Sequence, residues 1–140
     1  MITYFDASSL VKYFLEEDGS QEIRALVAKS LPTTSRLSEV EVSSAICRRF
    51  REGYISEDLR ERALNLLAEV FTGIYIVELT PGIAESARGL LATYPLRAGD
   101  AIQLASFLAI KARTGKDVSF SAFDQRLLEV AESALSATRD

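Results

Sequence analysis

The chain has 140 residues, with 16 lysines and arginines against 20 aspartates and glutamates for a formal net charge of −4, one cysteine and no histidine. Without imidazole, Ser-His-Asp and Cys-His catalysis are excluded and the commonest zinc ligand is missing; with Cys47 alone, so are an internal disulfide and a thiolate zinc cluster. The groups left for chemistry are carboxylates and hydroxyls, the oxygen donors that suit magnesium, manganese and calcium.

The elements alternate between short β-like runs and longer helical ones, which predicts an α/β domain with a mainly parallel sheet. Ile2-Thr3-Tyr4-Phe5 reads as a strand that begins at once, without the basic start and apolar stretch of a secretory signal, so a cytoplasmic location is expected. Helices follow over about 8–15 and 20–30. Pro32-Thr33-Thr34-Ser35 reads as a second strand, its proline tolerable at the start. Residues 37–50 are helical, with Glu52-Gly53 as a stop. In the next helix Leu59, Ala63, Leu66, Leu67, Val70 and Phe71 repeat at helical spacing, and Ser56 caps it, with Glu57 and Asp58 in the first turn. Ile74-Tyr75-Ile76-Val77 is a third strand by its β-branched content. Thr80-Pro81 then opens a helix that ends before Tyr94-Pro95. Residues 100–113 form a helix apolar on most sides, expected to be buried centrally. Val118-Ser119-Phe120 is the last strand and 124–134 the last helix. The 48% hydrophobic and 26% charged balance is that of one globular domain, and no apolar run approaches the ~20 residues that cross a bilayer. The acidic balance gives no sign of a broadly basic nucleic-acid surface, while leaving room for a local basic patch.

Four carboxylates stand out by position. Asp6 ends the first strand, Asp124 lies just beyond the last, Asp100 opens the central helix, and Glu41 sits in the helix after the second strand. In open parallel sheets, sites form outside the carboxyl ends of the strands, so these residues can converge. Each aspartate also has a structural reading as a helix cap. Glu41 sits in an apolar stripe with Leu37, Val40 and Ala45 and therefore needs a partner, either a cation held among the acids or an arginine such as Arg97. Four acids in one pocket repel one another unless a positive charge intervenes, and a divalent ion that also binds phosphate resolves that conflict. Arg48, Arg49 and Arg51 form the densest basic cluster. They read equally as phosphate contacts and as a solvated helix face in which Arg48 pairs with Glu52.

Tyr4-Phe5-Asp6-Ala7-Ser8-Ser9-Leu10-Val11-Lys12, Thr34-Ser35 with Glu41 and Ser43 to Arg49, Leu96-Arg97-Ala98-Gly99-Asp100-Ala101-Ile102-Gln103-Leu104-Ala105, and Phe123-Asp124-Gln125-Arg126-Leu127-Leu128 together resemble, in order, the motifs of PIN-domain ribonucleases, specifically the VapC-type toxins of toxin–antitoxin pairs. The resemblance implies a single PIN domain over 1–140, a three-layer α/β/α fold around a central, mainly parallel sheet of four or five strands. It also implies hydrolysis of RNA phosphodiesters, dependent on Mg2+ with Mn2+ as a substitute, leaving a 5′-phosphate and a 3′-hydroxyl. The family's acidic quartet falls on Asp6, Glu41, Asp100 and Asp124 as catalytic and metal-binding residues. Lys12, Arg48, Arg49 and Arg97 are the candidate substrate contacts. An antitoxin and a second copy of the chain are the implied protein partners, with no membrane. Two positions depart from the pattern. Gln103 replaces a common histidine, a change expected to affect packing more than chemistry. Ala122, with Ser121 beside it, stands where a hydroxyl is frequent near the last acid. Asp117 is a weaker candidate for an outer acid. The competing readings are a receiver-type phospho-accepting signalling domain, which usually wants paired acids after the first strand and a late lysine, and a PIN-like binding module without nuclease activity.

Overall fold

The computed structural model describes residues 1–115 and 117–139. The first strand, β1 (Ile2–Phe5), is followed by α1 (Ala7–Phe14) and α2 (Ser20–Lys29), which return the chain so that β2 (Leu31–Ser35) pairs parallel to β1, Ile2 opposite Leu31. Helices α3 (Arg36–Arg51) and α4 (Glu57–Val70) make the same return, setting β3 (Tyr75–Val77) parallel to β2. After α5 (Pro81–Thr93) and α6 (Ala98–Thr114), β4 (Val118–Ser121) lands on the other side of β1, again parallel, and α7 (Gln125–Arg139) closes the fold. The strand order is β3-β2-β1-β4. Building outward from β1 in one direction and then in the other creates a crevice between the carboxyl ends of β1 and β4, where open parallel sheets place their sites.

Alternation along β1 divides the interior in two. Tyr4 points into a core with Leu104, Phe107, Ile83 and Val130, built by α5, α6 and α7. Phe5 points the other way, into a core with Leu10, Ile23, Val42, Ile46 and Leu67, built by α1 to α4. The sheet is thus covered by helices on both faces, giving the three-layer α/β/α arrangement with four strands.

Most boundaries fall within two residues of the sequence reading, because the local chemistry sets them. Ser56 and Thr80 accept from the backbone N–H groups of Leu59 and Ile83, and Pro81 occupies the first helical position. Three differences carry physical content. Helix α6 begins at Ala98, two residues before Asp100, because extended backbone at Arg97 after Pro95 already permits a helical turn. Asp100 therefore lies inside the first turn, where the helix dipole favours a negative charge. Helix α7 extends beyond the expected end at Ala134. The apolar stripe of α4 is narrower than its periodicity implied, since Ala63 and Leu67 are buried whereas Leu59 and Leu66 are 50% and 37% exposed. Helix α6 is central as expected, burying Ala101, Leu104, Ala105, Phe107 and Ile110. Among the described residues no helix is long and apolar enough to cross a membrane.

Candidate active site

Asp6 is the first residue beyond β1, and its capping role is real. Its Oδ1 accepts from the backbone N–H of Ser9 at 2.9 Å, and the Ser8 hydroxyl donates from 2.7 and 2.9 Å to its two oxygens. Those three contacts favour the ionised form, yet burial outweighs them. With the negative charges of Glu41 and Asp100 adding to it, burial pushes the Asp6 carboxyl up to about 6. The same hydroxyl of Ser8 accepts from the backbone N–H of Phe123 at 3.0 Å, so one serine ties the end of β1 to the segment that carries Asp124.

Glu41 lies in the second turn of α3, and the expected apolar surroundings are only partial, since Val40 is 64% exposed. Its partner is neither Arg97 nor another cation among the described residues. The Gln103 amide donates from Nε2 to Glu41 Oε1 at 2.8 Å. Burial raises the Glu41 pKa, Gln103 opposes that rise, and the charge of Asp100 adds to it. Gln103, expected to matter for packing, is thus bonded directly to one of the four acids. Its polarity was the available signal, because a glutamine on the buried side of a central helix requires polar partners.

Glu41, Asp100 and Asp124 line one open cleft of about 570 Å³, together with Arg97, Gly99 and Arg126. Asp6 is absent from that lining but close enough for the charges of Glu41 and Asp100 to act on it. Asp124 also caps a helix: its Oδ1 accepts from the N–H groups of Arg126 at 3.0 Å and Leu127 at 3.2 Å. With both backbone donors on Oδ1, Oδ2 is the oxygen available to the cleft. Arg126 was not among the sequence candidates, although its position in the first helical turn after Asp124 was the signal for it.

The candidate basic residues separate into two groups. Arg97 lines the cleft. Lys12 does not; its ammonium is 3.1 Å from Glu17 Oε1, 2.7 Å from the Asp18 carbonyl oxygen and 4.5 Å from the centre of the Phe123 ring. Arg49 is paired with Glu17 at 2.7 Å, whereas no Arg48–Glu52 ion pair forms among the described residues. Arg48 is exposed two helical turns beyond Glu41, about 10 Å along the axis on the same face of α3. The Ser121 hydroxyl is hydrogen-bonded to Ser9 Oγ at 2.6 Å. Asp117 precedes β4, at the opposite end of the sheet from Asp6, and takes no part in the cleft.

Among the described residues, no three acid or thiol side chains form a ready-made metal cage. The donors nevertheless fit magnesium or manganese. Every candidate ligand is a carboxylate, and magnesium keeps several waters while taking only one or two direct protein ligands. Burial raises the pKa of both Asp6 and Glu41, and the neighbouring acids add to it, so a cation among them would favour their ionised forms.

A family model described as PIN domain matches residues 3–133. Two curated proteins of Mycobacterium tuberculosis, ribonuclease VapC45 of strain CDC 1551 / Oshkosh and ribonuclease VapC49 of strain H37Rv, are each 33% identical over 110 residues, covering 78% of this chain and 76% of the relative. Among solved structures, the crystal structure of Mycobacterium tuberculosis VapC20, described as a sarcin-ricin loop cleaving toxin, superposes with a TM-score of 0.68. That match covers 91% of this chain and 93% of the other at 18% identity, a likeness of fold.

Proposed function

Because the chain belongs to the PIN-domain family and has VapC ribonucleases among its relatives, we propose that it is an RNA-hydrolysing nuclease, the toxin of a toxin–antitoxin pair, and that it works with a divalent cation. The observation that carries the assignment of the site is the gathering of Glu41, Asp100 and Asp124 on one cleft at the carboxyl ends of the strands, with Asp6 buried within range of their charges.

In this reading Asp6, Glu41 and Asp100 would hold the ion, magnesium with manganese as a substitute, directly or through water. When bound, such an ion polarises the phosphoryl group and makes the attacking water more acidic. Asp124, its Oδ1 fixed by two backbone N–H groups, uses Oδ2 to orient that water and accept its proton. Arg97 and Arg126 offer guanidinium groups to the non-bridging oxygens of the RNA phosphate. Arg48 extends the basic track along α3. Arg49 and Lys12 are ion-paired with Glu17 and lie outside the proposed substrate path. The remaining partners proposed are an antitoxin that occludes the cleft and a second copy of the chain. The whole assembly is assigned to the cytoplasm, and residues 1–140 act as a single PIN domain.

The test is incubation of the purified protein with structured and unstructured RNAs in magnesium, in manganese and in EDTA, beside the Asp6→Ala and Asp100→Ala variants. Cleavage that needs the metal and both acids supports the reading. Cleavage that survives EDTA and either substitution overturns the metal site, and RNA binding without cleavage by the metal-loaded wild type supports the binding-module alternative.

A further inference from the structure

Gln103 sits on the buried side of α6 at 2% exposure, and every hydrogen-bonding group of its amide is engaged. The Tyr4 hydroxyl donates to its Oε1 at 2.6 Å, while its Nε2 donates to Ser38 Oγ at 3.0 Å and to Glu41 Oε1 at 2.8 Å. A glutamine amide has one carbonyl and two N–H bonds to place, and here all three are used. Its orientation is fixed by chemistry, because a flipped amide would turn its carbonyl oxygen toward the Glu41 carboxylate, acceptor against acceptor.

The support behind the amide is rigid. Tyr4 is fully buried, its ring 5.7 Å from Phe120 and 6.1 Å from Phe107, so its hydroxyl cannot swing away. The Ser38 hydroxyl lies 2.7 Å from Thr34 Oγ1, which donates to the Phe5 carbonyl at 2.6 Å. A polar chain therefore runs from the centre of the sheet to one oxygen of Glu41. The other oxygen, Oε2, faces Gly99 on the cleft wall, 3.0 Å from where a Cβ would stand.

We propose that Gln103, locked by Tyr4, is a positioning residue that holds the Glu41 carboxylate in the one orientation in which Oε1 is tied back and Oε2 faces the cation. The proposal rests on the cleft being a divalent-metal site. It assigns to Tyr4 and Gln103 a role in metal affinity that a merely satisfied core amide would not have. Partners that orient metal-ligating groups typically change affinity by about 10-fold to 100-fold when removed.

The experiment titrates the full chain with manganese and follows the free-ion signal by electron paramagnetic resonance, with thermal unfolding of the metal-free protein measured in parallel. Gln103→Met alone removes the acceptor of the buried Tyr4 hydroxyl, so it is combined with Tyr4→Phe, which removes both ends of that bond together; Ser38 Oγ and Glu41 Oε1 lose their amide donor in either case. The double variant should stay folded with some loss of thermal stability and bind manganese about tenfold more weakly or worse. Tyr4→Phe alone should fold and show a smaller loss of affinity, and it decides the matter if the double variant does not fold. Wild-type affinity in a folded double variant, or in Tyr4→Phe when the double variant is unfolded, overturns the positioning role alone. Wild-type protein that binds no manganese overturns the metal-site reading and this inference with it.

Discussion

The Oε2 atom of Glu41 lies 3.0 Å from the point at which a side chain would begin on Gly99. The glycine is in the first turn of α6, in ordinary helical backbone, so its role is to leave space and not to supply an unusual conformation.

Gly99→Ala should therefore separate stability from activity. Alanine suits the helix backbone better by about 0.5 kcal/mol through the unfolded chain, a gain offset by its contact with the Glu41 carboxylate that Gln103 holds. Its methyl group would displace the carboxylate that faces the cleft. Thermal unfolding should change little while RNA cleavage falls by about tenfold or more. Equal cleavage by the variant and the wild type would contradict the account of the cleft wall.

Asp6 caps α1, and the proposed function gives it a second task, at the metal, that can be taken apart from the first. Asp6→Asn keeps an oxygen for the Ser9 N–H and removes the buried charge, whereas Asp6→Ala removes both. The alanine variant should be less stable than the asparagine variant by about 1 kcal/mol, the usual worth of such a cap. Both should lose cleavage to the same extent. Substantial activity in Asp6→Asn would reduce Asp6 to a capping residue.

The Asp6 carboxyl, pushed up to about 6, also fixes the sign of a pH effect. Between about pH 4 and pH 6 the folded, metal-free protein holds this proton while the unfolded chain has released it, so stability from this group is lost as pH rises through that window. The full effect is on the order of 2–3 kcal/mol, and Glu41, shifted in the same direction by its own burial, adds to it. A bound cation reverses the preference, because it requires the ionised carboxylates. Thermal midpoints should show manganese stabilising the protein more at about pH 7 than at about pH 5, and Asp6→Asn should flatten the dependence without metal. Equal stabilisation at both pH values would argue against ligation by Asp6.

The strand-to-helix rhythm, the caps at Ser56 and Thr80 and the position of the four acids were readable from the chain, because each depends on neighbours close in sequence. Residues brought together across the fold were not. The apolar stripe of α3 showed that Glu41 needs a partner, but nothing near it in sequence could show that Gln103 on α6 supplies one, bonded to Oε1. Lys12 lay in the right motif, yet Glu17 and Asp18 draw its ammonium away from the cleft. Arg126 went unnoticed because its use depends on where the first turn of α7 faces, and that is decided by the crossover that places β4 beside β1.

The two cleft arginines should act on substrate and not on the fold. Arg97→Gln and Arg126→Gln should each weaken RNA binding, lowering the dependence of log affinity on log salt by about one phosphate contact, with thermal unfolding unchanged. Arg49→Gln, which breaks the pair with Glu17, should leave the salt slope closer to wild type. A salt slope unaffected by Arg97→Gln and Arg126→Gln would remove them from the RNA path.

The central claim, that this cleft is a divalent-metal centre for RNA hydrolysis, is tested most directly by soaking crystals of the protein in manganese and locating the ion by anomalous scattering. The account predicts a peak in the cleft within direct bonding distance of Asp6, Glu41 or Asp100, lost in crystals of Asp100→Asn. Saturating manganese with no peak there, or a peak held only by residues elsewhere, would contradict it.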